Sequence, residues 1–157
     1  MEHLEIERKF LVQGDFKSEA VSSKKVVQGY LSTQTGRTVR ARIMGDKGFL
    51  TIKGPSSANG TTRFEFEKEI TLEEAQGLIG LCEHGVIDKV RWYVPAGKHV
   101  FEVDEFHGDN EGLIVAEVEL SDENEAFVHP DWLGEEVTGQ RRYYNSMLLA
   151  HPYKEWK

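Results

Sequence analysis

Glu5, Glu7 and Lys9 occupy alternate positions near the start of the chain, and the same two-residue spacing of charge recurs along it. Arg40 and Arg42, Lys53, the run Arg63, Glu65 and Glu67, Lys89 and Arg91, Glu102 and Asp104, and Glu117 and Glu119 all repeat it. Carboxylates supply hard oxygen ligands suited to Mg²⁺ or Mn²⁺, while guanidinium forks and ammonium groups bind phosphate oxygens. A set holding both kinds matches a polyphosphate carried with a divalent metal. The chemistry such a ligand undergoes is phosphoryl transfer, which needs charge neutralisation, metal positioning and an oriented water more than covalent help.

The spacing also specifies the elements that must present these groups. In a strand, residues i and i+2 share one face. Runs with this period cover Leu4 to Val12, Lys25 to Thr33, Thr38 to Met44, Phe49 to Lys53, Thr62 to Ile70, Ile87 to Val94, His99 to Phe106 and Leu113 to Leu120. Gly45-Asp46-Lys47-Gly48, Pro95-Ala96-Gly97-Lys98 and the longer Gly108 to Gly112 supply turn chemistry between runs. The charged positions, with Gln28, Tyr30 and Thr51, fall on one face; Leu4, Ile6, Val39, Ala41, Ile43, Leu50, Ile52, Phe64, Phe66, Val90, Trp92, Phe101, Val103, Ala116 and Val118 fall on the other. One such strand is most simply a solvated outer face. Paired charges on nearly every strand argue instead for a shared enclosed face.

Two architectures satisfy this pattern: a sheet whose apolar face packs on helices, and a closed barrel with a polar lumen and helices outside. The barrel is favoured, because about eight antiparallel strands suffice to close one and closure removes exposed edges. The expected fold is therefore mostly β, of the α+β kind, with a closed eight-stranded tunnel. Thr71 and Glu74 form a capping box for a helix with Leu72, Ala75, Leu78, Ile79 and Cys82 on one face and Gly85 as its stop. Shorter helices are expected over Asp15 to Ser22 and Asn145 to Ala150, the latter with Met147 and Leu148 turned inward, and Pro130 and Trp132 mark an irregular stretch.

Composition narrows the setting. The 157 residues carry 19 Lys and Arg against 27 Asp and Glu, a net charge of −8, with 39% hydrophobic and 29% charged residues. One domain spanning residues 1–157 with an ordinary core is expected. The acidic balance argues against a nucleic-acid polymer as partner. Cys82, the one cysteine, excludes an internal disulfide framework and fits a reducing cytoplasm. No segment approaches the apolar length of a membrane span, and no signal-peptide core is present. The expectation is a cytoplasmic protein, monomer or homodimer.

Glu5-Ile6-Glu7-Arg8-Lys9 resembles the ExExK signature of the CYTH, or triphosphate tunnel metalloenzyme, superfamily. Val27 to Ser32, Val39 to Arg42, Thr51 to Gly54, Arg63 to Glu67, Lys89 to Arg91, Glu102 to Phe106, Ala116 to Glu119 and Glu136 to Asn145 follow in that family's order, as in its small single-domain bacterial members. The resemblance implies a tunnel barrel and a divalent-metal-dependent triphosphatase, with inorganic tripolyphosphate as the substrate suggested by the small form. It further implies metal ligands at Glu5, Glu7 and Glu119 with Glu117 close by, and Asp104 joins that acidic set. Lys9, Arg40, Arg42, Lys53, Arg63, Lys89 and Arg91 would hold phosphates. Glu65 and Glu67 would bind a second metal or orient water, and Lys9 and Tyr30 would pair near the nucleophilic water. A basic residue near the C-terminus commonly reaches the tunnel, which leaves Arg141 and Arg142 both open. Gln140 stands where the family often has an acid, and no chemistry is assigned to it.

Other readings share these residues. The same site serves nucleoside or thiamine triphosphate hydrolysis, adenylyl cyclisation, or noncatalytic binding of polyphosphate or nucleotide. His3, His84, His99, His107, His129 and His151 lack metal-ligand spacing. Gly54 to Gly60 lacks the Lys-Ser/Thr ending of a phosphate-binding loop. Cys82 and the tryptophans Trp92, Trp132 and Trp156 read as packing residues.

Overall fold

The computed structural model describes residues 4–82 and 85–156, so His3 and His84 lie outside the described residues. Among the described residues nine strands form: β1 (Leu4–Val12), β2 (Ser22–Ser32), β3 (Thr38–Met44), β4 (Lys47–Ser56), β5 (Thr62–Ile70), β6 (Ile87–Ala96), β7 (His99–Phe106), β8 (Ile114–Glu119) and β9 (Leu133–Glu136). All pairings are antiparallel, in the order β5-β4-β3-β2-β6-β7-β8-β1-β9, and a further β1–β5 pairing closes the first eight into a barrel. β1 carries the closure. Its first residues pair with β5, as in Glu5 with Arg63, its middle pairs with β8, as in Glu7 with Glu119, and its end takes β9 beside Phe10.

Turn chemistry sets the hairpins. Gly45-Asp46 joins β3 to β4 and Gly97-Lys98 joins β6 to β7, both two-residue loops. The positive φ at Gly45 (63°) and Gly97 (64°) suits the first position of a II′ turn. The long β6–β7 hairpin also explains a departure from expectation. In place of a helix over Asp15 to Ser22, one 3₁₀ turn covers Lys17–Glu19 and β2 begins at Ser22. Ser22, Ser23 and Lys24 pair with Tyr93, Trp92 and Arg91, and these ladder bonds outweigh local helix tendency.

Two apolar cores hold the barrel in shape. Outside β1, β6, β7 and β8, Phe10, Val94, Phe101, Val103, Ala116 and Val118 are covered by Phe16, Trp132 and Leu133. The second core lies at one end of the lumen. There Ile87, Phe106 and Val115, which share the inward face with the charges, meet Tyr143 and Leu148 from the C-terminal segment. Helix α2 (Asn145–Ala150) therefore plugs the barrel rather than lying on its flank, with Leu148 buried and Met147 only partly so. On the outside Arg8 donates Nε and Nη2 to the two oxygens of Glu136 (2.8 and 2.6 Å), and Lys9 N–H donates to Thr138 Oγ1 at 2.9 Å. These bonds tie β1 to the segment leading into α2. No helix of the described residues is long and apolar enough to cross a membrane.

Helix α1 (Leu72–Gly80) starts at the expected capping box: Glu74 N–H donates to Thr71 Oγ1 (3.0 Å), and Thr71 N–H donates to Glu74 Oε1 (2.9 Å). It ends five residues before Gly85 and packs Ala75 on the outer face of the sheet. The approach is close because β4 has no side chain at Gly48. A Cβ there would lie 2.6 Å from Ala75 Cβ and 2.9 Å from the Thr71 carbonyl oxygen. Gly48→Ala is thus expected to lower unfolding free energy by about 1–3 kcal/mol through overpacking. Urea denaturation measures it, and an unchanged midpoint would mean the helix can lift off without cost.

Candidate active site

The alternate charged residues converge inside the barrel. A cavity of about 180 Å³ is lined by Glu5, Glu7, Lys9, Tyr30, Arg40, Arg42, Lys53, Arg63, Glu65, Glu67, Lys89, Arg91, Glu117 and Glu119, with Glu102. The strand order sorts them by sign. Glu5, Glu7, Glu102, Glu117 and Glu119 come from the adjacent strands β1, β8 and β7. Arg40 and Arg42, Lys53, and Lys89 and Arg91 come from β3, β4 and β6, which with β2 form a continuous arc on the other side. β5 adds Arg63, Glu65 and Glu67, and Lys9 stands within the acidic arc.

Like charges meet directly within the acidic arc, where Glu7 faces Glu119 and Glu102 faces Glu117 across strand pairs. Burial, then the nearby Glu117 and Glu5, push the Glu7 carboxyl well above the usual range. Burial and Glu5 raise Glu65 to about 7, and burial with Glu5 and Glu102 raises Glu119. Glu117 goes the other way: burial opposes its ionisation, but Lys9, Arg91 and Lys53 outweigh it. Lys53 Nζ sits 2.8 Å from Glu5 Oε1, and Lys9 Nζ is 3.4 Å from Glu117 Oε2.

The basic arc is under the opposite stress. Burial, reinforced by Arg40 and Arg91, lowers Arg42 to about 10, an unusual depression for a guanidinium. Among the described residues Arg40 and Arg42 each keep a buried Nε without a hydrogen-bond partner. Their Nη2 groups approach Glu67 Oε1 at 3.7 and 3.3 Å, and Glu67 also accepts from Thr51 Oγ1 at 2.7 Å. Buried donors without acceptors are costly, and a multiply charged anion supplies acceptors.

Asp104 differs from the other predicted acids. It lies beneath the cavity, 3% exposed, and does not line it. Arg91 Nε and Nη2 donate to its two oxygens (2.8 and 2.9 Å), and Lys89 Nζ donates to Oδ2 at 2.7 Å. Its carboxylate orients two cations of the basic arc. Burial depresses Lys89 to about 7, against the pull of Asp104. The residues that strand period could not reveal are Tyr144, Asn145 and Ser146, which line the cavity from the start of α2. The Tyr144 ring lies 5.1 Å from Lys9 Nζ and 5.5 Å from the Arg63 guanidinium carbon, within cation–π range. Of the two C-terminal arginines, Arg141 lines a neighbouring hollow and donates to Thr35 Oγ1 at 2.8 Å, while Arg142 stacks on Trp156. Neither lines the charged cavity.

The donor set of the acidic arc is all carboxylate, the kind that binds hard divalent cations. Among the described residues no three His, Cys, Asp or Glu side chains already converge as a metal-binding group. Lys9 and Lys53 hold the carboxylates in ion pairs instead. The crowding that raises Glu7 and Glu119 still fits a cation in both chemistry and sign.

A closed barrel whose lumen sets a carboxylate arc against a guanidinium and ammonium arc defines a protein built to take a polyanion together with cations. Residues 3–149 match the model of the CYTH domain, and the chain belongs to that family. It is 47% identical over 154 residues to an inorganic triphosphatase of Acetivibrio thermocellus, covering 98% of this chain and 97% of that one. It is 38% identical over 149 residues to an inorganic triphosphatase of Nitrosomonas europaea, covering 92% and 95%. A crystal structure of an inorganic triphosphatase superposes with a TM-score of 0.66 at 33% identity, covering 92% and 93% of the two chains. A putative adenylyl cyclase from Hippeastrum shares the fold, with a TM-score of 0.58 at 14% identity over 78% and 80%.

The assignment of Asp104 to the framework has a stability consequence. Asp104→Ala leaves Lys89 and Arg91 buried without their shared counter-charge and is expected to destabilise the protein by about 3–5 kcal/mol. Urea denaturation in chelator, with neither metal nor phosphate present, isolates this effect. A variant as stable as the parent would return Asp104 to the ligand-binding groups.

Proposed function

We propose that this protein is a divalent-metal-dependent hydrolase of triphosphates, with inorganic tripolyphosphate as its principal substrate and Mg²⁺ or Mn²⁺ as its cofactor. The observation that carries the reading is the sorted lumen, with buried Arg40 and Arg42 donors lacking acceptors on one side and crowded, proton-retaining carboxylates on the other. Two relatives named inorganic triphosphatase, each matched over nearly its full length, support the substrate.

In this reading Arg40, Arg42, Arg63, Lys53, Lys89 and Arg91 bind and orient the phosphate chain. Their charge offsets that of the transferring group and holds it in line for attack. Glu5, Glu7, Glu117 and Glu119 would hold the metal, which when bound neutralises phosphate charge and lowers the pKa of a coordinated water. Asp104 acts through Lys89 and Arg91. Lys9 and Tyr30, with Glu65 and Glu67 at the more open side, surround the attacking water. The water oxygen bonds to a terminal phosphorus, the bridging P–O bond breaks toward the departing pyrophosphate, and one water proton is taken up by a carboxylate or by solvent.

Phosphate release across tripolyphosphate, pyrophosphate, ATP and thiamine triphosphate, each with Mg²⁺, Mn²⁺ or chelator, tests the reading. Metal-dependent turnover greatest on tripolyphosphate is expected. Tight binding of tripolyphosphate with no turnover under any metal would reject hydrolysis. Glu7→Gln is expected to lower turnover by about a hundredfold or more through loss of a hard-cation ligand, and undiminished activity would remove Glu7 from the metal set.

Proton competition supplies a further check. Glu7 and Glu65 retain protons at pH values where ordinary carboxylates do not, and a bound metal requires their charged forms. Mn²⁺ affinity, followed by calorimetry, should therefore be weaker near about pH 6 than near about pH 8, rising as these groups deprotonate. An affinity independent of pH over that interval would contradict the assignment.

A further inference from the structure

Tyr30 lines the cavity, yet the atoms that determine what its hydroxyl can do lie outside the charged arcs. The starting point is Lys89, buried to 1% exposure, whose Nζ lies 2.7 Å from Asp104 Oδ2 and 2.8 Å from the side-chain oxygen of Asn145. A lysine ammonium has hydrogens to give and nothing with which to accept. The Asn145 atom facing it must therefore be the carbonyl oxygen, which settles the orientation of that amide.

The constraint passes to the next residue. Gln28, fully buried on β2, has a terminal atom 3.1 Å from the same Asn145 oxygen. With oxygen already assigned on Asn145, the Gln28 atom must be nitrogen. The reverse orientation would set two carbonyl oxygens against each other and bury an NH₂ without an acceptor. The observed one leaves only the Gln28 Oε1 carbonyl unpartnered. The Gln28 NH₂ has a second hydrogen, and the Tyr30 hydroxyl oxygen lies 3.4 Å away, at the long end of hydrogen-bond range. Tyr30 receives that hydrogen, and among the described residues no other hydrogen bond engages its hydroxyl.

We infer that Asn145 is a positioning residue: by accepting from Lys89 and Gln28 together it turns the Gln28 amide so that Tyr30 is an acceptor at its back and a hydrogen-bond donor toward the cavity. Tyr30 then stabilises developing negative charge on a phosphoryl oxygen and does not withdraw the proton of the attacking water. Asn145 also sits at the first position of α2. Seating of the C-terminal plug and orientation of the Tyr30 hydroxyl thereby depend on one side-chain oxygen.

This inference rests on the triphosphatase reading above, and the test separates the two. Tripolyphosphate hydrolysis is measured at saturating Mg²⁺ for the parent, Tyr30→Phe, Asn145→Leu and the double variant, with thermal denaturation to confirm folding. A parent without turnover would overturn the triphosphatase reading itself. With an active parent, Tyr30→Phe is expected to lose about a hundredfold in kcat, the loss typical of removing one donor to a developing oxyanion. Asn145→Leu should lose about tenfold in kcat with KM nearly unchanged. The double variant should equal Tyr30→Phe within about twofold, because Asn145 acts through the hydroxyl already removed. Multiplying losses, or an Asn145→Leu enzyme with parental kcat, would overturn the relay. Asn145→Ala, a smaller perturbation with the same expected pattern, replaces Asn145→Leu if the latter does not fold.

Discussion

Ionised side chains withdrawn from water into the lumen impose the constraint on which this structure turns. An isolated buried charge is prohibitively costly, and even a paired one returns little beyond its desolvation. The barrel meets that cost unevenly. Asp104 is fully satisfied between Lys89 and Arg91, while Glu7, Glu65 and Glu119 stay crowded and Arg40 and Arg42 keep buried donors idle. The imbalance has opposite signs on opposite walls. A guest that brings cations to one wall and a polyanion to the other relieves both, so the groups least stable in the empty protein are those best prepared for binding.

Such a lumen needs a rigid wall, and the apolar residues are distributed to supply one. The outward faces of β1, β6, β7 and β8 are buried under Phe16, Trp132 and Leu133, and α1 covers the other side through the Ala75–Gly48 contact. Inside, Ile87, Phe106 and Val115 close one end with Leu148, so the charged zone rests on an apolar floor. The polar residues of the plug, Tyr144 and Asn145, face the ions at the boundary between these zones.

Much of this was legible in the sequence because a strand's period of two is unambiguous where charge and apolar residue alternate. The runs at Leu4–Val12, Thr38–Met44, Thr62–Ile70 and His99–Phe106 coincide with strands, and the residues on their charged face share the lumen. Periodicity reports which face a residue occupies but not its height along the barrel, which is why Asp104 reads like Glu102 yet lies beneath the cavity. β9 is too short and glycine-containing to show a period, and it forms because the end of β1 offers a free edge. Tyr144, Asn145 and Ser146 belong to a helix start whose polar character looks ordinary until the helix is seen entering the barrel.

β1 is bonded to β5, β8 and β9, so its neighbours come from the middle, the later third and nearly the end of the chain. Glu5 and Glu7 leave the ribosome among the first residues and acquire their surroundings only when Glu119 and Glu136 have been made. Closure of so many distant pairings is slow relative to local structure. The nascent N-terminal segment, with alternating greasy and acidic residues and both edges open, must wait unpaired for translation to finish, so its carboxylates serve as solubilising charge before they serve as a binding surface.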